Sequence, residues 1–492
     1  MYEMSAVPDL ASKTWSPIRT IALVAGPILA IVLALCCQTI DGFTIQESIV
    51  VGVATLCAVW WVFEPVPVPA TSLIPLAVLP TLGVMGHKEV AHSYGDTLIM
   101  LLMCGFMISR AMESSGAHKK VAMGVVRGVA RLGGGGSRSV VLGFMIAAAA
   151  LSMWISNTAT TLMLLPVAIA IIQVSNDKKI AIPLLLGLAY AANIGGIGTP
   201  IGTPPNIIFM GQFDQLGSRA EPFGFVEWMK VGIPVVVIFV PIAWFWLTRG
   251  CSKSADTTPF ECSTTDPWTA HQKRVLGMFA LAAALWVFQK YPQGGWVAFL
   301  DYVSSGAINP STSGSATVAA LVAVLMFVLP NGSGGRLLTW ESARTIPWGV
   351  LILFGGGIAL AGAFVKTGLS ERIADNLQLI GELPLPLVIL LICVLATFLT
   401  EVTSNTAMTT LMMPILGAAA LGADIPPQYL MMPAAMSASC AFMLPVATAP
   451  NAAVYGTERI PISRMAREGF VLNCIGIFII TGIMWMVLPA NT

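Results

Sequence analysis

The stretch from 154 to 166 reads WISNTATTLMLLP, and from 402 to 414 the chain reads VTSNTAMTTLMMP. Each Ser-Asn-Thr lies in the middle of a long apolar run, 139–175 in the first case and 384–421 in the second. A backbone that leaves a helix inside hydrocarbon strands N–H and C=O groups at several kcal/mol each, and it survives only where protein, water or ligand satisfies them. Any fold for this chain must therefore bring both interruptions to a polar interior.

Of the residues, 56% are hydrophobic and 10% charged, against about 25% charged in a soluble domain. The expected fold class is an all-α polytopic membrane protein. Apolar windows close to the roughly 19 residues that cross a bilayer recur from 20 to 488. Candidate spans are 20–40, 46–63, 68–86, 97–115, 180–210 (interrupted), 226–248, 273–289, 313–330, 348–366, 426–455 (interrupted) and 469–488, eleven crossings in all. The stretches 139–175 and 384–421 each add either two crossings or one re-entrant hairpin. Residues 1–17 are polar, and the first apolar segment lacks a small-residue cleavage site, so it reads as an uncleaved helix. The nine Cys contain no CxxC pair and read as buried small apolar residues. A net charge of +1 says little about partners, and no nucleic-acid partner is expected.

Charge sets the orientation. With a cytoplasmic N-terminus and both broken stretches returning to their own side, most of the 25 Lys and Arg fall inside, among them Arg19, Lys119, Lys120, Arg138, Lys178, Arg249, Arg274 and Arg464. The outside keeps Lys88, Arg219, Lys230, Lys290, Lys366 and Arg372, with Arg110 near the inner end of its helix. This positive-inside distribution suits an inner (plasma) membrane protein whose C-terminus is outside. Two crossings per broken stretch would preserve parity, so charge does not separate crossings from hairpins. The polar, Gly-rich and Pro-rich content at mid-stretch bears on that choice instead.

The chain also repeats. GFMISRAMESSGAHKKVA, from Gly105, aligns with GIALAGAFVKTGLSERIA, from Gly357, placing Gly116 on Gly368. With small gaps, Ser156-Asn157-Thr158 falls on Ser404-Asn405-Thr406, Pro166 on Pro414, and GTPPN (202–206) on ATAPN (447–451). An odd number of expected crossings separates the two starts, so the copies lie in opposite orientations. Inverted repeats with discontinuous helices are how many secondary transporters build a site near the bilayer midplane.

Four breaks imply a cavity. At each Ser-Asn-Thr turn the incoming helix ends in free carbonyls, and the outgoing one begins with free N–H groups capped by Asn or Thr. Helix N-termini carry about half a positive charge and favour carboxylates or phosphates. Carbonyls and the hydroxyls of Ser152, Ser156, Thr400 and Thr403 are hard oxygen donors, apt for Na⁺ rather than a transition metal. No Lys or Arg lies in these segments, so a dianion there leans on dipoles and co-bound cations. Isolated Ser, Thr and Asn also cement helix contacts in membranes; two symmetric copies, each with a Pro-Asn break at matching distance, favour a functional role.

These residues resemble the divalent anion/sodium symporter family of INDY-type dicarboxylate transporters, on SMWISNTAT, TEVTSNTA and nearly the whole chain. The resemblance implies a homodimer of eleven-helix protomers with two re-entrant hairpins. A scaffold (1–132 and 249–382, each with an interfacial arm) would carry a transport domain (133–248 and 383–492) that moves as an elevator. It implies one sodium site on Ser152, Ser156, Asn157 and Gly202, and a second on Thr400, Thr403, Asn405 and Ala447. The substrate carboxylates would meet Ser156, Asn157 and Thr158 from one hairpin and Ser404, Asn405 and Thr406 from the other, with Thr203 and Thr448 lining the pocket. The implied activity is sodium-coupled symport of C4-dicarboxylates such as succinate, fumarate and malate. Relatives in this group include exchangers and carriers of citrate or sulfate, and the hydroxyl-rich cation positions resemble the sodium-coupled branch. Where many members have Thr-Pro-Pro in the second break, this chain has Thr448-Ala449-Pro450, which bears on substrate selectivity.

Other features have plainer readings. HKKVAMGVVRGVARL (118–132) has basic and apolar residues at helical spacing and suits an interfacial helix. Glu401 beside the second motif is either functional or a hydrogen-bonded structural carboxylate. His87 and His92 read as a solvated outer loop, and Gly133 to Gly136 as a joint. Trp60, Trp61, Trp244 and Trp246 read as interfacial belt residues. An intramembrane enzyme would need a nucleophile with its base or a metal cluster, and neither HExxH nor GxSxG occurs. A channel is the remaining rival.

Overall fold

The structure, a computed structural model, describes residues 17–132, 136–177, 179–216, 223–251, 267–289, 294–304, 313–376 and 383–487. Gly133 to Gly135 of the expected joint, and the charges of Lys178, Arg219 and Lys290, lie outside the described residues. Within them, regular structure is helical apart from one isolated bridge between Pro330 and Arg336. Among the described residues, seven helical segments are long and apolar enough to cross a membrane, including Pro17–Gln38, Ile45–Phe63, Phe225–Gly250 and Trp348–Thr367. Their outward faces carry Ile21, Ile31, Phe245 and Phe478, all well exposed, as lipid contact requires, while small and polar residues face inward.

The element order repeats. Thr97–Ser115 ends at Gly116 with φ 69°, and Trp348–Thr367 ends at Gly368 with φ 81°. Both are left-handed C-caps, where a side chain would be strained, which explains why the two glycines align. Each is followed by a short amphipathic helix, Ala117–Leu132 or Leu369–Asn376. Next comes a helical hairpin, Ser137–Ser152 with Asn157–Val174, or Leu385–Thr400 with Asn405–Gly422. A broken helix follows, Ala181–Gly196 with Pro204–Gln215, or Gln428–Ser437 with Ala449–Tyr455, and then a long helix, Phe225–Leu247 or Ile462–Val487.

Both hairpin tips meet the middle of a broken helix. The Thr199 hydroxyl, between the halves of the first, donates to the Met153 carbonyl at the first tip. At the second tip, the single hydroxyl proton of Thr400 is shared between the Ala438 carbonyl at 2.9 Å and Asn405 Oδ1 at 2.6 Å. Trp154 seats the first tip by stacking on Trp286 at 6.4 Å and on Phe225 at 6.1 Å.

Charged helix ends pair among themselves. Arg249 Nη2 and Arg464 Nε converge on buried Glu468 at 2.8 and 3.2 Å, joining residues expected on one face of the membrane. Lys366 pairs with Glu89 at 2.5 Å and Arg372 with Glu47 at 2.8 Å, joining residues expected on the other.

Three expectations need correction, and one helix was not expected. The 68–86 span is two short helices, Val68–Thr71 and Ile74–Thr81, because Pro67, Pro69, Pro75 and Pro80 deny it continuous backbone hydrogen bonding. His87 and His92 are exposed but lie on a helix, His87–Tyr94, whose first turn Glu89 caps through the Gly86 N–H. Trp61 is wholly buried rather than part of a belt, its indole N–H donating to Ser72 Oγ at 2.9 Å. A helix at Gly295–Val303 had no counterpart among the expected spans.

Candidate functional site

The four interruptions open onto one cavity of about 870 Å³. Four helices begin there, and their N-caps, Ser156, Thr203, Ser404 and Thr448, all line it. Each cap is a hydroxyl residue at the position where the first backbone N–H groups lack intrahelical acceptors. The Asn405–Gly422 helix is capped by Ser404 Oγ, which accepts from Ala407 N at 3.5 Å, and Ala449–Tyr455 by Thr448 Oγ1, which accepts from Asn451 N at 3.2 Å. Ser156 and Thr203 make no such side-chain cap. The partial positive charge of the longer helices therefore points into a space without Lys, Arg or His among the break residues.

Behind each Asn lies the same bond. Ser152 Oγ donates to Asn157 Oδ1 at 2.5 Å, and Thr400 Oγ1 to Asn405 Oδ1 at 2.6 Å. Ser152 and Thr400 are wholly buried, while the two Asn reach the cavity. Each pair places two neutral oxygens side by side beside the carbonyl end of the incoming helix, a donor set suited to a hard monovalent cation. Thr403 differs, because its hydroxyl turns back to the Leu399 carbonyl at 2.7 Å.

The broken helices repeat each other in conformation. Thr203 (φ −149°, ψ 147°) and Thr448 (φ −140°, ψ 152°) are equally extended, each just ahead of a helix with Pro in its first turn. The following Asn ties the break together: Asn206 Nδ2 donates to Gly196 O (2.8 Å) and Thr199 O (2.7 Å), and Asn451 Nδ2 to Ala441 O (2.9 Å) and Leu444 O (3.1 Å). Gly202 is required by a close approach, since a Cβ there would lie 2.4 Å from the Gly196 carbonyl oxygen.

The second break is longer and leaves more backbone amides to satisfy. Glu401 does this: Oε1 accepts from Phe442 N (2.7 Å), Met443 N (2.8 Å) and Asn473 Nδ2 (2.7 Å), and Oε2 from Leu444 N (3.1 Å). The carboxylate is buried and hydrogen-bonded on both oxygens, so the structural reading of Glu401 accounts for its place at the tip. In the first copy the matching residue is Met153, whose carbonyl, not its side chain, makes the contact to the break.

Of the candidate residues, Ser156, Asn157, Thr158, Gly202, Thr203, Thr403, Ser404, Asn405, Thr406, Ala447 and Thr448 line this one cavity, and Ser152 and Thr400 lie directly behind it. The motifs had not singled out Asn193. It is buried in the first broken helix, lines the cavity, and donates to Thr448 Oγ1 at 3.1 Å. Its signal was an amide within the otherwise apolar run LLLGLAYAANIGG. Arg19, Glu64, Arg110 and Glu113 also line the cavity.

A family model described as a citrate transporter, CitMHS, matches residues 58–425. The sodium-dependent dicarboxylate transporter SdcS of Staphylococcus saprophyticus is 35% identical over 97% of this chain and 93% of its own length. The chain belongs to the divalent anion/sodium symporter family. The SdcS of Staphylococcus aureus is likewise similar to this symporter-family chain, at 34% identity over 97% of it and 92% of the relative. Two solved structures share the fold at low identity. The Alcanivorax borkumensis YdaH transporter has a TM-score of 0.54 at 12% identity, covering 96% of this chain and 98% of its own. MtrF of Neisseria gonorrhoeae, from a class of antimetabolite efflux pumps, has a TM-score of 0.58 at 13% identity, with 96% of each covered. This member of the symporter family is a polytopic membrane transporter and not an enzyme.

Proposed function

We propose that this chain carries C4-dicarboxylates such as succinate, fumarate and malate into the cell together with Na⁺. The observation that carries this reading is the meeting, in one cavity, of helix N-termini with two matched hydroxyl–Asn oxygen pairs and no fixed cation among the break residues. The caps Ser156, Thr203, Ser404 and Thr448, with Asn157, Thr158, Asn405 and Thr406, hold the two carboxylates. Ser152, Ser156, Asn157 and Gly202 hold one Na⁺; Thr400, Thr403, Asn405 and Ala447 hold the other. The relatives named sodium-dependent dicarboxylate transporters support the same assignment.

Energetics favours coupling. Bringing a dianion into a cell at about −100 mV costs roughly 4.6 kcal/mol, and two Na⁺ cancel that electrical term. Cations bound beside the substrate also supply the positive charge the break residues lack.

The broken helices bond to each other across the repeat, and the second hairpin bonds to its own break, which supports their moving as one transport domain, 133–248 with 383–492, against the scaffold of 1–132 and 249–382. The reading includes eleven crossings, re-entrant hairpins in an inverted repeat, an elevator motion, a homodimer in the plasma membrane, and a cytoplasmic N-terminus.

The test is uptake of labelled succinate into proteoliposomes, with Na⁺ and then with choline. Saturable, concentrative uptake only with Na⁺ is expected; uptake that ignores Na⁺ would reject symport, and passive equilibration would indicate a channel. The citrate transporter description of the matching family model favours citrate as a second substrate class, which competition by citrate against dicarboxylates and sulfate resolves.

A further inference from the structure

The two breaks differ at one polar position. Asn206 and Asn451 each hold a pair of carbonyls in their own break, Gly196 and Thr199 in the first and Ala441 and Leu444 in the second. On that register Asn193 of the first broken helix falls on Ala438 of the second, whose side chain has no polar group. Asn193 is buried, lines the cavity, and bonds across the repeat.

Its neighbours fix which way its amide is turned. Both carbonyl partners of Asn451 take Nδ2, so Asn451 Oδ1 is the atom that faces Asn193, at 3.5 Å from Asn193 Nδ2. Thr448 Oγ1 takes the same Asn193 nitrogen at 3.1 Å and the Asn451 backbone N–H at 3.2 Å. A hydroxyl oxygen has two acceptor positions, so that of Thr448 is full and its own proton is left to donate. Asn193 Oδ1 lies on the other side of the amide, with no hydrogen-bond partner among the described residues. Asn206 Oδ1 is sealed inside the protein; Asn193 Oδ1 is not, and the cavity is the space that Asn193 lines.

A carboxylate brings only acceptors, which helix N–H groups and hydroxyls satisfy. An amide oxygen opening into the same space is unmatched by a carboxylate and needs an N–H or O–H group. We propose that Asn193 is a specificity-determining residue whose Oδ1 accepts from a hydroxyl on the carbon next to a substrate carboxylate, while the Thr448 hydroxyl donates to that carboxylate. One planar amide thus sets a donor and an acceptor side by side, complementary to a 2-hydroxy acid. Malate carries that pattern and succinate does not. The first break lacks the pair, since Thr203 makes no side-chain cap and residue 438 is Ala, so the unsubstituted carboxylate goes there. The assignment rests on the proposed dicarboxylate function and, within it, ranks hydroxylated above unsubstituted C4 acids.

Na⁺-driven uptake of labelled malate and labelled succinate into proteoliposomes tests this, for wild type and Asn193→Ala. A competitor, 2-fluorosuccinate, has no donor at the hydroxyl position. Wild type should half-saturate at about five- to tenfold less malate than succinate, the worth of one neutral hydrogen bond. Asn193→Ala should bring that ratio to about one by raising half-saturating malate, with half-saturating succinate kept within about twofold. Loss of the tie to Thr448 lowers the maximal rate for both acids alike, so a shift confined to malate is one that a merely structural amide would not give. Against wild type, 2-fluorosuccinate should compete no better than succinate, a measurement that needs no variant to fold. Equal half-saturation by the two acids in wild type, a malate preference that survives Asn193→Ala, or 2-fluorosuccinate competing as well as malate would overturn the hydroxyl acceptor. A rise in half-saturating Na⁺ for succinate in Asn193→Ala would also overturn it, making the oxygen a cation ligand instead. A wild type without Na⁺-dependent uptake of either acid would overturn the functional reading as well, a result distinct from an active wild type that ignores the hydroxyl.

Discussion

Asn193 Nδ2 donates to Thr448 Oγ1 at 3.1 Å, one bond that joins the first broken helix to the last half-helix. Thr448 Oγ1 also accepts from Asn451 N, so one hydroxyl caps a helix and receives the other half of the molecule. Asn193→Ala removes a buried donor while leaving the cap intact. It is expected to destabilise by about 1–2 kcal/mol and to reduce transport. Thermal melts of purified protein in detergent check the first, and uptake assays the second; an unchanged melt would mean the bond contributes nothing to holding the halves together.

Ser152→Ala and Thr400→Ala each delete the hydroxyl behind one Asn. Each should raise half-saturating Na⁺ by roughly tenfold, as expected for loss of one buried oxygen contact. Thr400→Ser should stay near wild type. A Na⁺ titration of succinate uptake, with choline as balance, reads this directly, and unaltered curves for both Ala variants would remove these hydroxyls from the cation sites.

Gly202→Ala would place a methyl 2.4 Å from a backbone oxygen, where no side chain can swing aside. The break must then widen, at about 1–3 kcal/mol. Transport should be lost even where folded protein is recovered from size-exclusion chromatography. Wild-type uptake by this variant would show that the break tolerates spreading.

Glu401→Gln turns an acceptor-only group into one that presents N–H toward the Phe442, Met443 and Leu444 amides. A loss of about 3 kcal/mol is expected, because buried donors are left facing donors. A melting temperature equal to wild type would contradict the amide-binding role of this carboxylate.

Ala449→Pro restores a proline at the first position of its helix, where no backbone hydrogen bond is lost. Stability should hold within about 0.5 kcal/mol. One backbone N–H is removed from the cavity wall, so half-saturating succinate should rise a few-fold. Equal affinity in the two proteins would free position 449 from any part in carboxylate recognition.

Much of this was legible in the chain. Ser156-Asn157-Thr158 and Ser404-Asn405-Thr406 stand out because polar residues within apolar runs must be satisfied somewhere, and their matched spacing places them together. Gly116 and Gly368 aligned because both end a helix in left-handed backbone. Asn193 was missed because its partner lies 255 residues away, and nothing local distinguishes it from an amide cementing two helices. Trp61 was misjudged for a similar reason: hydropathy does not reveal that Ser72 waits inside for its indole N–H. The interruption within the 68–86 span was missed because a hydropathy window counts proline as one more apolar residue and ignores its missing donor.

Met153 and Glu401 occupy matching places on the two hairpins, yet only the acid reaches the exposed amides of its neighbouring break. Methionine in place of Glu401, as on the first hairpin, would leave the amides of 442–444 without their acceptor. Each hairpin tip is thus matched to the break it faces, and the two tips are not interchangeable.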